Sequence, residues 1–189
     1  MFFVVKNRAD PIRVALVSDT HGILDPRIAD VVAGCDCAVH AGDVGAWAVI
    51  AAMRPRCETV IAVRGNNDMP AKWPAADRSR LAALPEQAEL ALPGGRLAVV
   101  HGHRHGAARQ RHRRLRKDFG GARAILYGHS HRLVCDTDAK PWVLNPGAAG
   151  RSRTYGGPSC LVLTVEAGQW AVEVVRFAPA GRKREENSR

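Results

Sequence analysis

The chain has 189 residues, 46% of them hydrophobic and 24% charged, a balance that suits one globular domain able to bury most of its apolar surface. A formal charge of +10, carried by 23 arginines and five lysines, favours an anionic partner such as a phosphate ester or a nucleic acid. No apolar run approaches the roughly 18 residues of a membrane-spanning helix, and the run over residues 2–5 is far short of a signal core, so no membrane partner and a cytoplasmic location are expected.

Residues 1–11 read as a loose leader closed by Asp10-Pro11, and residues 12–180 as a single domain. The strand predicted over 12–17 delivers Asp19-Thr-His21-Gly22, and Asp25 then caps a helix over 25–33 with Pro26 in its first position. A strand over 36–40 leads to Gly42-Asp43, and a helix over 46–53 is stopped by Pro55. The β-branched run over 59–63 leads to Gly65-Asn66-Asn67-Asp68, after which the chain is rich in proline and irregular. Residues 88–92 and 96–100 flank Pro93-Gly94-Gly95 as a hairpin that ends at His101-Gly-His103. A helix over 107–119 precedes a strand over 122–127, which delivers Gly128-His129-Ser-His131. Strands over 133–135 and 141–144 and a hairpin of 159–165 with 170–177 complete the domain. Residues 181–189 read as a disordered charged tail.

Strand–helix alternation in the front half and hairpins in the back half predict an α/β fold: a four-layer αββα sandwich of two mixed β-sheets flanked by helices. Five cysteines at unpatterned spacings (Cys35, Cys37, Cys57, Cys135, Cys160) read as reduced structural thiols. His40, His105 and His112 read as surface or hydrogen-bonded core histidines.

The remaining signal lies at the ends of the apolar runs, where parallel-type strands of α/β sheets gather their ligands. Taken alone each motif is weak: Asp19 reads equally as a helix cap, and Gly42-Asp43 or Gly65-Asn66 as a turn. Together, five runs deliver seven oxygen and imidazole ligands to one edge, enough to hold two divalent ions side by side.

The blocks D-x-H, G-D, G-N-x-D, H-G-H and G-H-x-H, in this order, resemble the calcineurin-like metallophosphoesterase superfamily. The length and Asn145-Pro-Gly147 resemble its small YfcE-type phosphodiesterase branch, over residues 12–177. The resemblance implies that Asp19, His21 and His131 bind one metal ion, that Asn66, His101 and His129 bind a second, and that Asp43 bridges them. It implies manganese first, with iron, zinc, nickel or cobalt as alternatives. The activity implied is phosphodiester hydrolysis by a hydroxide shared between the ions, with Asp43, Asn66 and His103 as catalytic residues. Asp68 would orient a ligand from behind, and Asn67, His103, Arg151 and Arg153 are candidates for touching substrate.

Two departures stand out. Many members carry a proton-donating histidine where this chain has Asn67, which predicts faster turnover of aryl than of alkyl diesters. Between His103 and Asp118 there are also seven cations and no acid: Arg104, Arg109, Arg111, Arg113, Arg114, Arg116 and Lys117. They read either as a solvated helix face or as a polyanion surface. The expected partner is a small phosphodiester. Nuclease action on nucleic acid is one alternative, and a non-enzymatic binding module of the same fold, as in the retromer small subunit, is another. The resemblance also allows a homodimer.

Overall fold

In β2 (Ile12–Val17), Ile12, Val14 and Leu16 point to one face and Ala15 and Val17 to the other, and all five are buried. A strand covered on both faces needs a layer on each side, and the remaining elements supply them. The computed structural model describes residues 2–4 and 10–179. After β1 (Phe2–Val4) and β2 come α1 (Pro26–Ala33), β3 (Cys37–His40), α2 (Trp47–Ala52), β4 (Thr59–Ala62) and α3 (Arg78–Ala83). The second half holds β5 (Gln87–Leu92), β6 (Gly95–Val100), α4 (Ala108–Asp118), β7 (Ala124–Leu126), β8 (Leu133–Asp136), β9 (Trp142–Pro146), β10 (Ser159–Glu166) and β11 (Gln169–Arg176).

One sheet has the order β11-β10-β2-β3-β4, with β2, β3 and β4 parallel. The other has the order β1-β5-β6-β7-β9-β8, with β6, β7 and β9 parallel. Leu16, Val39 and Ile61 from the first sheet meet Leu90, Leu97, Leu126 and Leu144 from the second in a continuous apolar layer. The outer face of the first sheet, including Ala15, Val17 and Val162, packs on Ile28 and Val32 of α1, Val49 and Ile50 of α2 and Leu81 of α3. The outer face of the second, including Ala98, Ile125 and Val143, packs on Leu115 of α4. The result is the four-layer αββα sandwich with two mixed sheets.

Local chemistry accounts for the helix starts and turns. Asp25 accepts the Arg27 N–H at 3.0 Å as the cap of α1, with Pro26 next. The β10–β11 turn places Ala167 and Gly168 both at positive φ (46° and 77°), the primed geometry that matches strand twist. Two elements differ from expectation. Residues 2–4, read as leader, pair parallel with β5 at the sheet edge, where Phe3 packs against the core. The segment after Asp68 contains α3, a six-residue helix held by a single buried leucine, Leu81; no periodicity of that length is visible in sequence. The tail at 181–189 lies outside the described residues. Cys35, Cys37 and Cys160 are buried, and Cys57 and Cys135 are exposed.

Candidate metal centre

The loops leaving β2 and β3 continue the sheet's hydrogen bonding beyond the strands. Asp19 N–H donates to Gly42 C=O (3.0 Å), His21 N–H to Asp43 C=O (2.9 Å) and Gly22 N–H to Val44 C=O (2.7 Å). On the other sheet, Gly128 N–H donates to His101 C=O (3.2 Å). These pinned loops carry an unusual backbone. Asp19, His21, Asp43, His129 and His131 all have φ between 48° and 67°, a left-handed region that L side chains rarely occupy. Strain of this kind gathered at one place marks a functional site. Glycine allows the close approach. A Cβ at Gly65 would fall on the Asp43 carboxylate, and one at Gly128 on the Ser18 hydroxyl.

The side chains so aimed converge. Asp19 Oδ1 lies 3.4 Å from His131 Nε2, which lies 3.0 Å from His21 Nε2. Asn66 Oδ1 lies 3.1 Å from His101 Nε2 and 2.9 Å from His129 Nδ1. Asp43 stands between the two groups, with Oδ1 3.3 Å from His101 Nε2 and Oδ2 3.8 Å from His21 Nε2. Two ligands held about 2.1 Å from one ion at right angles lie about 3 Å apart, which is the spacing within each group. All seven residues named from the sequence are therefore brought together.

The hydrogen bonds orient the donors. A carbonyl only accepts, so His101 Nδ1 donates to Ala41 C=O (2.8 Å) and His131 Nδ1 to Ser152 C=O (3.1 Å). In a neutral ring this leaves each Nε2 lone pair facing the centre. The lone pair of His101 then points at Asp43 Oδ1 and Asn66 Oδ1, acceptor against acceptors, a conflict that a cation or a proton relieves. Burial lowers the His101 pKa, but the bond to Asp43, the charges of Asp19 and Asp43 and the bond to Ala41 together outweigh it, so the pKa is raised.

Asp19 and Asp43 are 0% and 2% exposed, and among the described residues neither pairs with Lys or Arg. Burial, reinforced by the charge of Asp43, pushes Asp19 up to about 7. Burial also opposes ionisation of Asp43, yet hydrogen bonds with His101 and Asn67 hold it well below the usual carboxylate range. Burial and neighbouring positive groups lower His129 and His131 to about 4, leaving neutral imidazoles at neutral pH. Two buried carboxylates, a carbonyl oxygen and four imidazoles fit a pair of divalent ions, and without thiolate they suit Mn, Fe, Zn, Ni or Co better than Ca.

The surrounding residues divide clearly. Asp68 accepts from Val44, Gly45 and Gly65 N–H (3.1, 2.9 and 2.8 Å) and from Trp73 Nε1 (3.0 Å), so it ties the Asp43 loop to the Asn66 loop. Asn67 clamps Asp43, its backbone N–H donating to Oδ1 (2.8 Å) and its Nδ2 to Oδ2 (2.7 Å). Lys72 donates to Asn67 Oδ1 (2.6 Å) and so fixes which way that amide faces; a lone lysine in an irregular segment gave no sign of this in the sequence. His103 sits beside His101 and His129, with ring centroids 5.5 and 6.2 Å away. Arg153 brings a guanidinium nitrogen to 3.4 Å from His21 Nε2. Arg151 instead lines a separate cleft with Asp25 and Arg27.

His40 is fully buried in a closed chain of bonds. Gly42 N–H donates to its Nδ1 (3.2 Å), so Nε2 carries the proton to Thr20 Oγ1 (2.9 Å), whose hydroxyl donates to Val44 C=O (3.0 Å). His112 bonds Tyr127 OH (2.8 Å), and His105 packs on Phe119. The basic helix is real but not uniformly solvated. Arg109, Arg113, Arg114 and Lys117 are exposed, whereas Arg111 is buried and bonds Gly106 C=O (3.1 Å), and Arg116 pairs with Asp136 (2.7 Å).

Residues 12–168 match the model of the calcineurin-like phosphoesterase superfamily domain. The chain is 27% identical over 160 residues to the probable metallophosphoesterase YsnB of Bacillus subtilis, covering 81% of this chain and 84% of that protein. Among solved structures, an archaeal phosphodiesterase superposes with a TM-score of 0.64 at 20% identity, covering 87% of this chain and 100% of its own. The vacuolar protein sorting protein Vps29 of Chaetomium thermophilum superposes with a TM-score of 0.67 at 17% identity, covering 89% and 100%. At these identities the two structures attest the fold alone.

Proposed function

The chain belongs to the calcineurin-like phosphoesterase superfamily, and from that premise we propose that it is a phosphodiesterase working with two divalent metal ions, manganese being the first to test. The observation that carries the reading is the pair of buried carboxylates, Asp19 and Asp43, without a Lys or Arg partner among the described residues and ringed by four imidazoles. Asp19, His21 and His131 would hold one ion, Asn66, His101 and His129 the other, and Asp43 would contact both. Bound ions would polarise phosphoryl oxygens and supply a water of lowered pKa.

The chain's own residues do the positioning. Asn67 and Asp68 hold Asp43 and the Asn66 loop in register, and Arg153 offers a guanidinium to a phosphate oxygen on the His21 side. His103 flanks the His101–His129 side. Asn67 carries no acidic proton and its amide is committed to Asp43, so leaving-group protonation falls to solvent. Aryl diesters should then turn over faster than alkyl diesters, by a factor within the roughly 10²–10⁴ that acid catalysis supplies.

The deciding measurement is metal content together with hydrolysis of bis(p-nitrophenyl) phosphate. Asp43→Asn should lose metal and lower kcat/KM by about 100-fold or more. Wild-type protein that binds no divalent metal and shows no metal-stimulated hydrolysis would favour a non-enzymatic binding module. A second reading, action on nucleic acid, is favoured by the exposed cations Arg109, Arg113, Arg114 and Lys117 on α4.

A further inference from the structure

Beside Asn66 the candidate centre borders a cleft of about 310 Å³, lined also by Arg64, Asp68, Glu86, His103 and Arg104. Arg64 follows β4, and its backbone N–H donates to Pro85 C=O (2.8 Å), which places it next to Glu86. Its guanidinium donates to Glu86 Oε1 at 2.9 Å. Arg104 grips the same carboxylate with both terminal nitrogens, Nη1 on Oε2 and Nη2 on Oε1, the latter at 2.9 Å. Two guanidinium groups thus converge on one carboxylate. The other carboxylate of the cleft, Asp68, is held by four N–H donors, so among the described residues Glu86 alone faces the two guanidinium groups. His103 adds a buried Nδ1 without a hydrogen-bond partner among the described residues.

All three members of the Arg–Glu–Arg group are partly exposed, so water can take over the contacts of Glu86 when a competing anion arrives. The forked geometry on Glu86 is also the one by which arginine grips phosphate oxygens. A phosphate entering the cleft would meet both guanidinium groups, and Glu86 would swing aside into solvent.

Resting on the phosphodiesterase reading, we propose that Arg64 and Arg104 form a second anion subsite, selecting phosphodiesters that carry a further phosphate group near the scissile one, with Glu86 occupying the fork until it is displaced. The test compares thymidine 5′-(p-nitrophenyl phosphate) with its 3′-phosphorylated counterpart, which share the same aryl diester. Wild type should prefer the phosphorylated compound by about tenfold in kcat/KM, expressed in KM. The preference should fall to near one in Arg64→Gln/Arg104→Gln and rise in Glu86→Gln, with melting temperatures confirming that the variants fold.

Calorimetric binding of thymidine 3′,5′-bisphosphate against thymidine 5′-monophosphate reads the subsite without turnover. Absence of hydrolysis with a preserved tenfold binding preference would therefore sink the phosphodiesterase reading and leave the subsite standing. Equal handling of the two compounds by wild type, or a preference that survives the double substitution, overturns the subsite. A tetrathymidylate without terminal phosphate that binds like the bisphosphate assigns the second phosphate to a nucleic-acid strand. One that binds like the monophosphate assigns it to a small bisphosphorylated molecule.

Discussion

Asn67 has a different task from the one its position suggests. Read by its place after Asn66, it is a proton donor replaced by an amide. In the structure both its backbone and side-chain N–H groups hold Asp43. Asn67→Ala should therefore weaken metal binding by about 10–100-fold, the usual cost of removing a support behind a ligand. Metal titration of wild type and variant measures this, and unchanged affinity would return Asn67 to a substrate-facing role. His40 makes the metal-free protein sensitive to acid. Burial, against the opposing charge of Asp68, lowers its pKa to about 4, whereas the unfolded chain titrates near 6.5. The unfolded state takes up the proton first, so stability is full above about 6.5 and falls as pH drops towards about 4. His129 and His131, also lowered to about 4, add in the same direction, whereas Asp19, raised to about 7, gains stability as pH falls below 7 and opposes them. Urea unfolding at pH 7 and pH 5 of wild type against His40→Asn reads the His40 share: on going to pH 5, wild type should lose stability relative to the variant.

At the scale of elements, legibility followed local chemistry. Residues 12–17 and 59–63 are β-branched runs, and Asp25-Pro26 is a cap signal; β2, β4 and α1 lie where these place them. β1 and α3 were not legible because each is held by tertiary contact, Phe3 against the core and Leu81 under the first sheet. Helix α4 shows the limit of counting charges. Arg111 and Arg113 are alike in sequence, but helical rotation turns Arg111 inward beside Leu115 and leaves Arg113 outside. A polyanion surface on α4 should use Arg109, Arg113, Arg114 and Lys117, so replacing these with Gln should weaken single-stranded DNA binding and flatten its salt dependence. Isotherms at 50 and 200 mM salt decide it; binding unaffected by the four substitutions would mark the face as merely solvated.

Across the whole molecule, the candidate centre lies on the seam between the sheets. Asp19, Asp43 and Asn66 follow strands of one sheet, and His101, His129 and His131 follow strands of the other. Among the described residues only two hydrogen bonds from these side chains to backbone cross the seam, Asp19 Oδ1 accepting His129 N–H (3.2 Å) and His101 Nδ1 donating to Ala41 C=O (2.8 Å). Ions held here would tie the layers together. Metal at 100 times its Kd would add about 2.7 kcal/mol, so chelation should lower Tm by about 5–10 °C. Differential scanning calorimetry with and without EDTA measures this, and an unchanged Tm would show that the centre holds no stabilising ion.

No helix among the described residues is long and apolar enough to cross a membrane. By itself the sequence determined the strand runs from β2 onward, the layer order and the seven ligand-type residues, because strand propensity, caps and residue chemistry are local. The tertiary structure decided which lone pairs face one another, that Asn67 serves Asp43, that Lys72 orients Asn67, and that Arg64 and Arg104 meet on Glu86. Those pairings join residues from 5 positions apart, as Lys72 and Asn67, to 110, as His21 and His131, and only the packing of one sheet on the other, with the loops it pins, sets the distances between them.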